Sequence, residues 1–202
     1  TDITSYAEEA ADLKVADYRQ LTRESLVIVV SKTGNAEEPV ELIQECNRRG
    51  IRTVSFVGND TSPVYLESTY KIWIDEDVNA FRYMQIYYFM FRLMHNKGYF
   101  PQYEDFCRSM EALPLALYEA AKVFEPTAWK FAKEYKDEPY ILFVSSGMGY
   151  PEAFRFSSCS VEEVFHIKTQ AMNSAEFFHG CFEIVDEDTA VVLVKNEDGA
   201  RS

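Results

Sequence analysis

Two Glu-x-x-His pairs lie near the end of the chain: Glu163 with His166, and Glu176 with His179. Residues three positions apart share one face of a helix, so each pair could act as a unit. Such pairs could bind a metal ion, exchange protons with a substrate, or form an ordinary polar surface. Metal binding is the least favoured, because di-iron proteins carry these pairs on separate long helices with further glutamates. We therefore expect no metal ion at these pairs.

Acid/base chemistry is the favoured interpretation for Glu163 and His179, with a solvated helix surface as the alternative. The residues around His179, AEFFHGCFE, embed polar groups among aromatic ones, which is unusual for a solvated face. On a helix, Glu162 points about 100° away from Glu163. His166 lies one turn beyond Glu163, and we expect neither Glu162 nor His166 to be catalytic.

A polar loop follows the β-branched run SLVIVV and contains Ser31, Lys32, Thr33, Gly34 and Asn35. A loop between a strand and a helix directs backbone N–H groups to a point where the helix dipole favours an anion. The glycine allows close approach, and the hydroxyl groups add donors. These features predict a phosphate site, with simple helix capping as the alternative. The Walker lysine pattern does not occur, so an NTPase is not expected.

The bulk properties exclude several classes of protein. The net charge of -13 argues against a nucleic-acid partner, because no basic field displaces counterions from phosphates. The four cysteines form no CxxC pair, which favours reduced thiols in a cytoplasmic protein. No apolar run reaches the ~18 residues of a membrane span, so no membrane partner is expected.

Alternating strand and helix patterns predict an α/β fold with parallel sheets. The order of strand, glycine turn and helix occurs twice, which indicates two pseudo-repeated lobes. We expect a first lobe with a helical connector over residues 1–137 and the first part of a second lobe over 138–202. The chain lacks an initial methionine and ends with EDGARS directly after an apolar strand, so we expect both lobes to be truncated.

Three local predictions depend on this pattern. The strand SLVIVV should be buried on both faces of a sheet. The helix of residues 79–97 is apolar nearly all round and should lie in a core or a subunit interface. The helical stretch of residues 102–135 should break near Pro114 and Pro126.

Two stretches resemble the SIS (sugar isomerase) family over most of the chain. The loop SKTGNAEE is similar to the family's phosphosugar loop. The run GMGYPEAFRFSSCSVEEVFHIKTQAMNSAEFFHGCFEI is similar to the second SIS lobe of glucosamine-6-phosphate synthase, and closer to fructosamine-6-phosphate deglycases. The resemblance implies two flavodoxin-like lobes with three α/β/α layers, the first without its opening strand.

The resemblance also implies roles for individual residues. Glu163 would move a proton between sugar carbons C1 and C2, and His179 would assist ring opening at a site shared with a neighbouring subunit. A homodimer or higher homo-oligomer is therefore expected. The sugar phosphate would be held by Ser31, Lys32, Thr33 and Asn35, with Gly34, Glu176 and Ser146 in supporting positions.

The implied function is the conversion of a fructosamine 6-phosphate to glucose 6-phosphate and a free amine or amino acid. The alternatives are an aldose–ketose or amino-sugar phosphate isomerase and a non-catalytic phosphosugar sensor. Two positions depart from the family pattern, since Ala36 replaces a threonine of the phosphate loop and Cys181 replaces a proline.

Overall fold

The computed structural model of the protein describes residues 3–74 and 79–196, and for residues 79–81 the backbone alone. The chain divides into two compact units, one ending at Pro114 and the other beginning at Leu115. This division falls inside a helix, whereas the two lobes are expected to meet near residues 136–138. The lobe boundary taken from the sequence therefore stays a prediction.

The first unit contains a three-stranded parallel sheet in the order β1-β2-β3. Helices alternate with the strands, as the sequence pattern predicts. The elements are α1 (Ala10–Val15), β1 (Leu26–Ser31), α2 (Glu37–Arg49), β2 (Arg52–Val57), α3 (Pro63–Glu67), β3 (Tyr70–Trp73) and α4 (Asn79–Asn96).

Helix α2 shows how the sequence specifies this unit. Leu42, Ile43 and Cys46 lie on one face and are buried against the sheet. Gly50 ends the helix in the left-handed region, with φ 71°, where a residue with a Cβ would be strained. Burial raises the pKa of the Cys46 thiol to about 11.

Strand β1 is buried on one face, not on both, so that prediction is wrong. Val27 and Val29 are buried in the cluster that includes α2, whereas Ile28 and Val30 are 37% and 48% exposed. Successive strand residues point to opposite faces. On the second face, α4 covers β2, where the rings of Phe56 and Phe89 lie 5.8 Å apart. Within the described residues β1 is one of the two edge strands of this sheet, and β3 is the other.

Helix α4 has the predicted extent, and its described side chains are mostly half-buried. Phe91 packs on the following segment, with ring centroids 4.7 Å from Phe100 and 4.8 Å from Phe106. The side chain of Phe81 lies outside the described residues.

Helix α5 (Tyr103–Tyr135) runs without interruption through Pro114 and Pro126, so the predicted breaks are wrong. Each proline removes one backbone donor from a helix of 33 residues, and the bonds of the neighbouring turns remain. Met110 is buried, whereas the residues after Pro114 are almost all exposed as far as Lys130.

The second unit contains a three-stranded parallel sheet in the order β5-β4-β6. Strand β4 lies at its centre and is buried along its whole length between two apolar clusters, one on each face. The elements after α5 are β4 (Ile141–Ser145), α6 (Gly149–Arg155), a π-helical segment (Phe156–Glu162), α7 (Glu163–Phe165), β5 (Thr169–Asn173), α8 (Ser174–Phe177), a 3₁₀ turn (Cys181–Ile184) and β6 (Ala190–Val194).

Both units thus have parallel strands covered by helical segments on the two faces, which confirms the predicted α/β fold. Strand β5 was not predicted from the sequence. Among the described helices, none has the length and apolar character needed to cross a membrane.

Candidate functional site

The loop of residues 31–35 connects the carboxyl end of β1 to helix α2. The N–H of Gly34 donates to Ser31 Oγ at 3.1 Å, and the N–H of Asn35 donates to Thr33 Oγ1 at 3.4 Å. A hydroxyl that accepts such a bond keeps its own proton for donation to a ligand. Ala36 occupies the N-cap of α2 and provides no side-chain cap. The N–H groups of Glu37 and Glu38 therefore remain available to an anion, whereas Pro39 in the same turn has no N–H.

Gly34 is required by a close contact with the N-terminus of α3. Its φ is 66°, and a Cβ at this position would lie 2.2 Å from Ser62 Oγ. Ser62 is buried, and its hydroxyl donates to Asn59 O at 2.8 Å. The N–H of Val64 donates to Gly34 O at 3.3 Å. The loop is thus held against α3 by its backbone, which fixes where its N–H groups point.

The other side of the loop is fixed to β2. The N–H of Gly58 donates to Lys32 O at 2.9 Å, which holds the end of β1 beside the end of β2. Glu37 and Glu38 lie in the first turn of α2, where carboxylates interact well with the helix dipole but oppose a bound anion. Lys32 is the one basic residue of the loop and supplies the opposite charge.

In the second unit, a glycine turn follows the carboxyl end of β4. Ser145 Oγ donates to Val194 O at 2.7 Å, which joins β4 to β6. Gly147 has φ 51°, and a Cβ on Gly149 would lie 2.6 Å from Ser145 Oγ. Ser146 lies half-buried in this turn, where its carbonyl accepts from Gly149 N at 3.1 Å.

Glu163 lies at the other end of the helical segment that starts in this turn. It is the first residue of α7, directly after the π-helical segment, and it is exposed. Its neighbour Glu162 accepts a bond from Thr169 N at 3.1 Å through Oε1. Thr169 is the first residue of β5, so Glu162 and Glu163 lie beside the amino ends of the strands.

His179 lies on the opposite side, beyond the carboxyl ends of the strands. It follows α8, which starts at the carboxyl end of β5, and its N–H donates to Glu176 O at 2.9 Å. Phe177 is buried between these two residues and holds α8 on the sheet, whereas Glu176 and His179 are exposed. Within one chain, His179 does not approach Glu163. Strand β5, which spans roughly 16 Å, separates them.

His166 ends the helical segment in a left-handed conformation, with φ 57° and ψ 28°. Glycine or asparagine usually occupies this position, since other side chains are strained there. His166 and Glu162 thus both have visible roles in the turn that leads into β5. Among the described residues, no three His, Cys, Asp or Glu side chains lie close enough together to hold a metal ion.

Sequence reasoning missed one residue of the first site, Ser62. Its signal was present, because Ser62 followed by Pro63 is a typical helix start, with a capping hydroxyl and proline at the first helical position. What the sequence could not indicate was that this start would lie against Gly34.

The fold and these residues can be compared with known proteins. The family model for the SIS domain matches residues 1–95. Residues 1–95, a little less than half of the chain, are thus similar to the SIS domain. The expected family resemblance is thereby confirmed, and the parallel sheets of both units agree with it.

A protein and a crystal structure from Bacillus subtilis are similar to most of the chain. Fructosamine deglycase FrlB of strain 168 is 29% identical over 187 residues, which cover 90% of this chain and 57% of the relative. The crystal structure of a protein described as a phosphosugar isomerase superposes with a TM-score of 0.83 at 27% identity, covering 90% of this chain and 57% of that one.

The C-terminal domain of glucosamine-fructose-6-phosphate aminotransferase from Francisella tularensis has the same fold. Its TM-score is 0.83 at 19% identity, with 95% of this chain and 56% of that chain covered. The chain therefore spans little more than half the length of the proteins that it matches.

Proposed function

We propose that this SIS-domain chain belongs to a phosphosugar-processing enzyme, and that the enzyme is a deglycase of 6-phosphorylated fructosamines. The observation that carries the proposal is the loop of residues 31–35, which leaves the start of α2 uncapped beside two hydroxyl groups and Lys32. A sugar phosphate fits this arrangement, because backbone N–H groups, hydroxyls and one lysine can share its charge. The similarity to a fructosamine deglycase favours this reaction over others of the family.

The proposed reaction needs two proton-transfer groups. His179 assists opening of the sugar ring by moving a proton at the ring oxygen. Glu163 then removes a proton from C1 of the open-chain ketosamine and returns it at C2, which converts the C1–N single bond to an imine. Water adds at C1, the C1–N bond breaks, and the amine leaves with glucose 6-phosphate as the second product. The steps involve neither oxidation nor a cofactor.

The positions of these two groups support a site shared between subunits. Within one chain, Glu163 lies beside the amino ends of the strands and His179 lies beyond their carboxyl ends, so one sugar would not reach both. In a homodimer or higher homo-oligomer, Glu163 of one chain can meet His179 of the partner subunit. We place the reaction in the cytoplasm, where the four free cysteines remain reduced.

The reaction class is tested by incubating the whole protein with a panel of fructosamine 6-phosphates and measuring glucose 6-phosphate and free amine. Equal amounts of both products support the deglycase. Conversion of an aldose phosphate to a ketose phosphate without release of amine supports the isomerase. Saturable binding without turnover of any member of the panel supports the sensor.

The shared site is tested by mixing two inactive variants, Glu163→Gln and His179→Asn. In a two-fold dimer of one variant with the other, one of the two sites combines an intact glutamate with an intact histidine. Random exchange of subunits should therefore restore about a quarter of the parent rate. A mixture as inactive as its components would contradict a shared site and favour one complete site in each chain.

A further inference from the structure

The helical segment between α6 and α7 changes its hydrogen-bond spacing along its length. Where the segment begins, the N–H of Phe156 donates to Glu152 O, four residues back, as in a regular helix. Where it ends, the N–H of Glu163 donates to Ser158 O, five residues back. This spacing defines a π-helical turn, which is rare and is found frequently at functional sites. The change from four to five means that one residue has been added to the turn before Glu163.

The added residue determines the direction in which Glu163 points. Successive residues of a helix are turned by about 100° around its axis, so one added residue turns everything after it by this angle. Glu163 therefore points where a regular helix would direct Glu162. The proposed base has its present direction only while the segment is π-helical.

Thr169, the first residue of β5, binds this segment near both of its ends. Its N–H donates to Glu162 Oε1 at 3.1 Å, and its hydroxyl shares a hydrogen bond with Ser157 Oγ at 2.6 Å. Ser157 is 1% exposed, so its hydroxyl is shielded from water and costly to leave without this partner. Thr169 is itself held in place, because it pairs with Ile141 of the central strand β4.

These two contacts fit the π-helical form and not a regular helix. Ser157 and Glu162 are five residues apart, and on a regular helix at ~100° per residue they would point about 140° away from each other. A π-helical turn brings residues at this spacing to one face, where both bind Thr169. Thr169 therefore stabilises the π-helical form over the regular one.

We propose that Thr169 is a positioning residue for Glu163. By binding Ser157 and Glu162 together, it stabilises the π-helical form and so directs Glu163, rather than Glu162, toward the substrate. The inference rests on the proposed function in one respect, which is the assignment of Glu163 as the base. Without the hydroxyl of Thr169, the segment can relax to a regular helix, in which Glu163 is turned away.

Thr169→Val tests the proposal in the whole protein, since valine keeps the branched shape and the N–H but has no hydroxyl. Turnover of the fructosamine 6-phosphates that the parent converts should fall about 10- to 100-fold, because a displaced reacting group costs a rate of this order. KM should stay close to that of the parent, since the phosphate loop is untouched. Thr169→Ser keeps the hydroxyl and should retain the parent turnover. Ser157→Ala removes the other half of the bond and should lose as much turnover as Thr169→Val.

Two further variants separate positioning from a loss of stability. Thr69→Val is the matched control, because Thr69 forms a similar hydroxyl pair with buried Thr53 in the first unit, at 3.4 Å. It should lower the melting temperature and leave turnover unchanged. In a Glu163→Gln background, Thr169→Val should not lower the residual turnover further, since no base remains to be positioned.

The outcomes distinguish this proposal from the proposed function. If Glu163→Gln keeps the parent turnover, the assignment of the base is wrong, and the positioning role is overturned with it. If Glu163→Gln is inactive while Thr169→Val keeps the parent turnover, or loses only as much as Thr69→Val, the proposed function stands and the positioning role alone is overturned.

A crystal structure of the Thr169→Val variant provides a readout that does not depend on turnover. The N–H of Glu163 should donate to Cys159 O, four residues back, and the glutamate should be turned by about 100°. An unchanged π-helical segment would overturn the proposal.

Discussion

The two units hold their candidate residues in different ways. In the first unit, the backbone of the loop is fixed on both sides, by Ser62 and Val64 of α3 and by Gly58 after β2. In the second unit, Glu163 and His179 are exposed and lie at opposite ends of the strands of one sheet. The difference indicates that one unit can position anion-binding groups through its own hydrogen bonds. The proposed proton transfer requires a second surface to bring its groups together.

The largest expected effect separates turnover from phosphate binding. Glu163→Gln keeps the shape of the side chain and removes the base, so turnover should fall ~10²–10⁴-fold. The affinity of the first unit for inorganic phosphate should stay unchanged. It is measured by titration from the amide shifts of Ser31, Thr33 and Asn35.

The control for this prediction is Glu162→Gln. A glutamine at this position keeps the side-chain oxygen that accepts from Thr169 N, so we expect turnover and stability close to those of the parent. Near-parent turnover of Glu163→Gln on every phosphosugar that the parent converts would contradict the assignment of Glu163 as the base.

The next effect concerns the contact that fixes the phosphate loop. Gly34→Ala should lower the free energy of unfolding by about 2–4 kcal/mol, because backbone strain adds to overlap with buried Ser62. Gly50→Ala has a similar φ of 71° and nothing within 4 Å of the added Cβ, so it should cost about 1–2 kcal/mol. Urea unfolding measures both variants. Equal losses would show that Ser62 does not constrain the loop.

A smaller effect is expected at His166, in the turn that leads into β5. A β-branched side chain is poorly suited to φ 57°, so His166→Val should lower the free energy of unfolding by about 1 kcal/mol. His166→Asn should match the parent in thermal unfolding, since asparagine tolerates this conformation. Turnover should change little in both variants, and a large loss in His166→Asn would instead indicate a direct role in the reaction.

At the uncapped start of α2, a substitution should change the free energy of unfolding by a similar amount but should raise it. Ala36→Ser adds an N-cap hydroxyl, which should raise the free energy of unfolding by about 1 kcal/mol. The hydroxyl proton can also donate to an anion, so phosphate should bind more tightly by titration. Tighter folding with weaker phosphate binding would show that the cap and the anion compete for the same N–H groups.

The smallest effect is a pH dependence that belongs to the first unit. Hydrogen bonds from Arg48 and Arg49 lower the pKa of Glu45 to about 2 from an ordinary value of 4.5. A lowered pKa means that the contribution to stability is present above pH 4.5 and is lost as the pH falls toward 2. Glu45→Gln should therefore differ most from the parent above pH 4.5, by urea unfolding at several pH values. Because Glu45 is in contact with solvent, high salt should reduce the difference.

The elements of the first unit could be predicted because their signals are local. In α2 the apolar residues recur at helical spacing, and Gly50 supplies the expected left-handed end. The prediction failed for β1 because the sequence shows which residues are apolar but not which face a neighbouring helix covers. The breaks at Pro114 and Pro126 failed because the cost of a proline depends on the turns around it.

The second site was less predictable for one identifiable reason. The residues of β5, TQAMN, have little β-branched character, and they form a strand through pairing with β4. Because β5 lies between Glu163 and His179, the two residues lie at opposite ends of this strand. Residue types alone could not predict their separation.

Buried Cys46 makes the opening rate of the first unit's core measurable. With its pKa at about 11, the thiol stays protonated at neutral pH, and the surrounding core excludes reagents from it. An alkylating reagent can modify it only when that core opens, whereas Cys159 in the second unit is exposed and reacts directly. The mass added to each cysteine over time therefore reports how often the first core opens, while the second unit records the reactivity of the reagent.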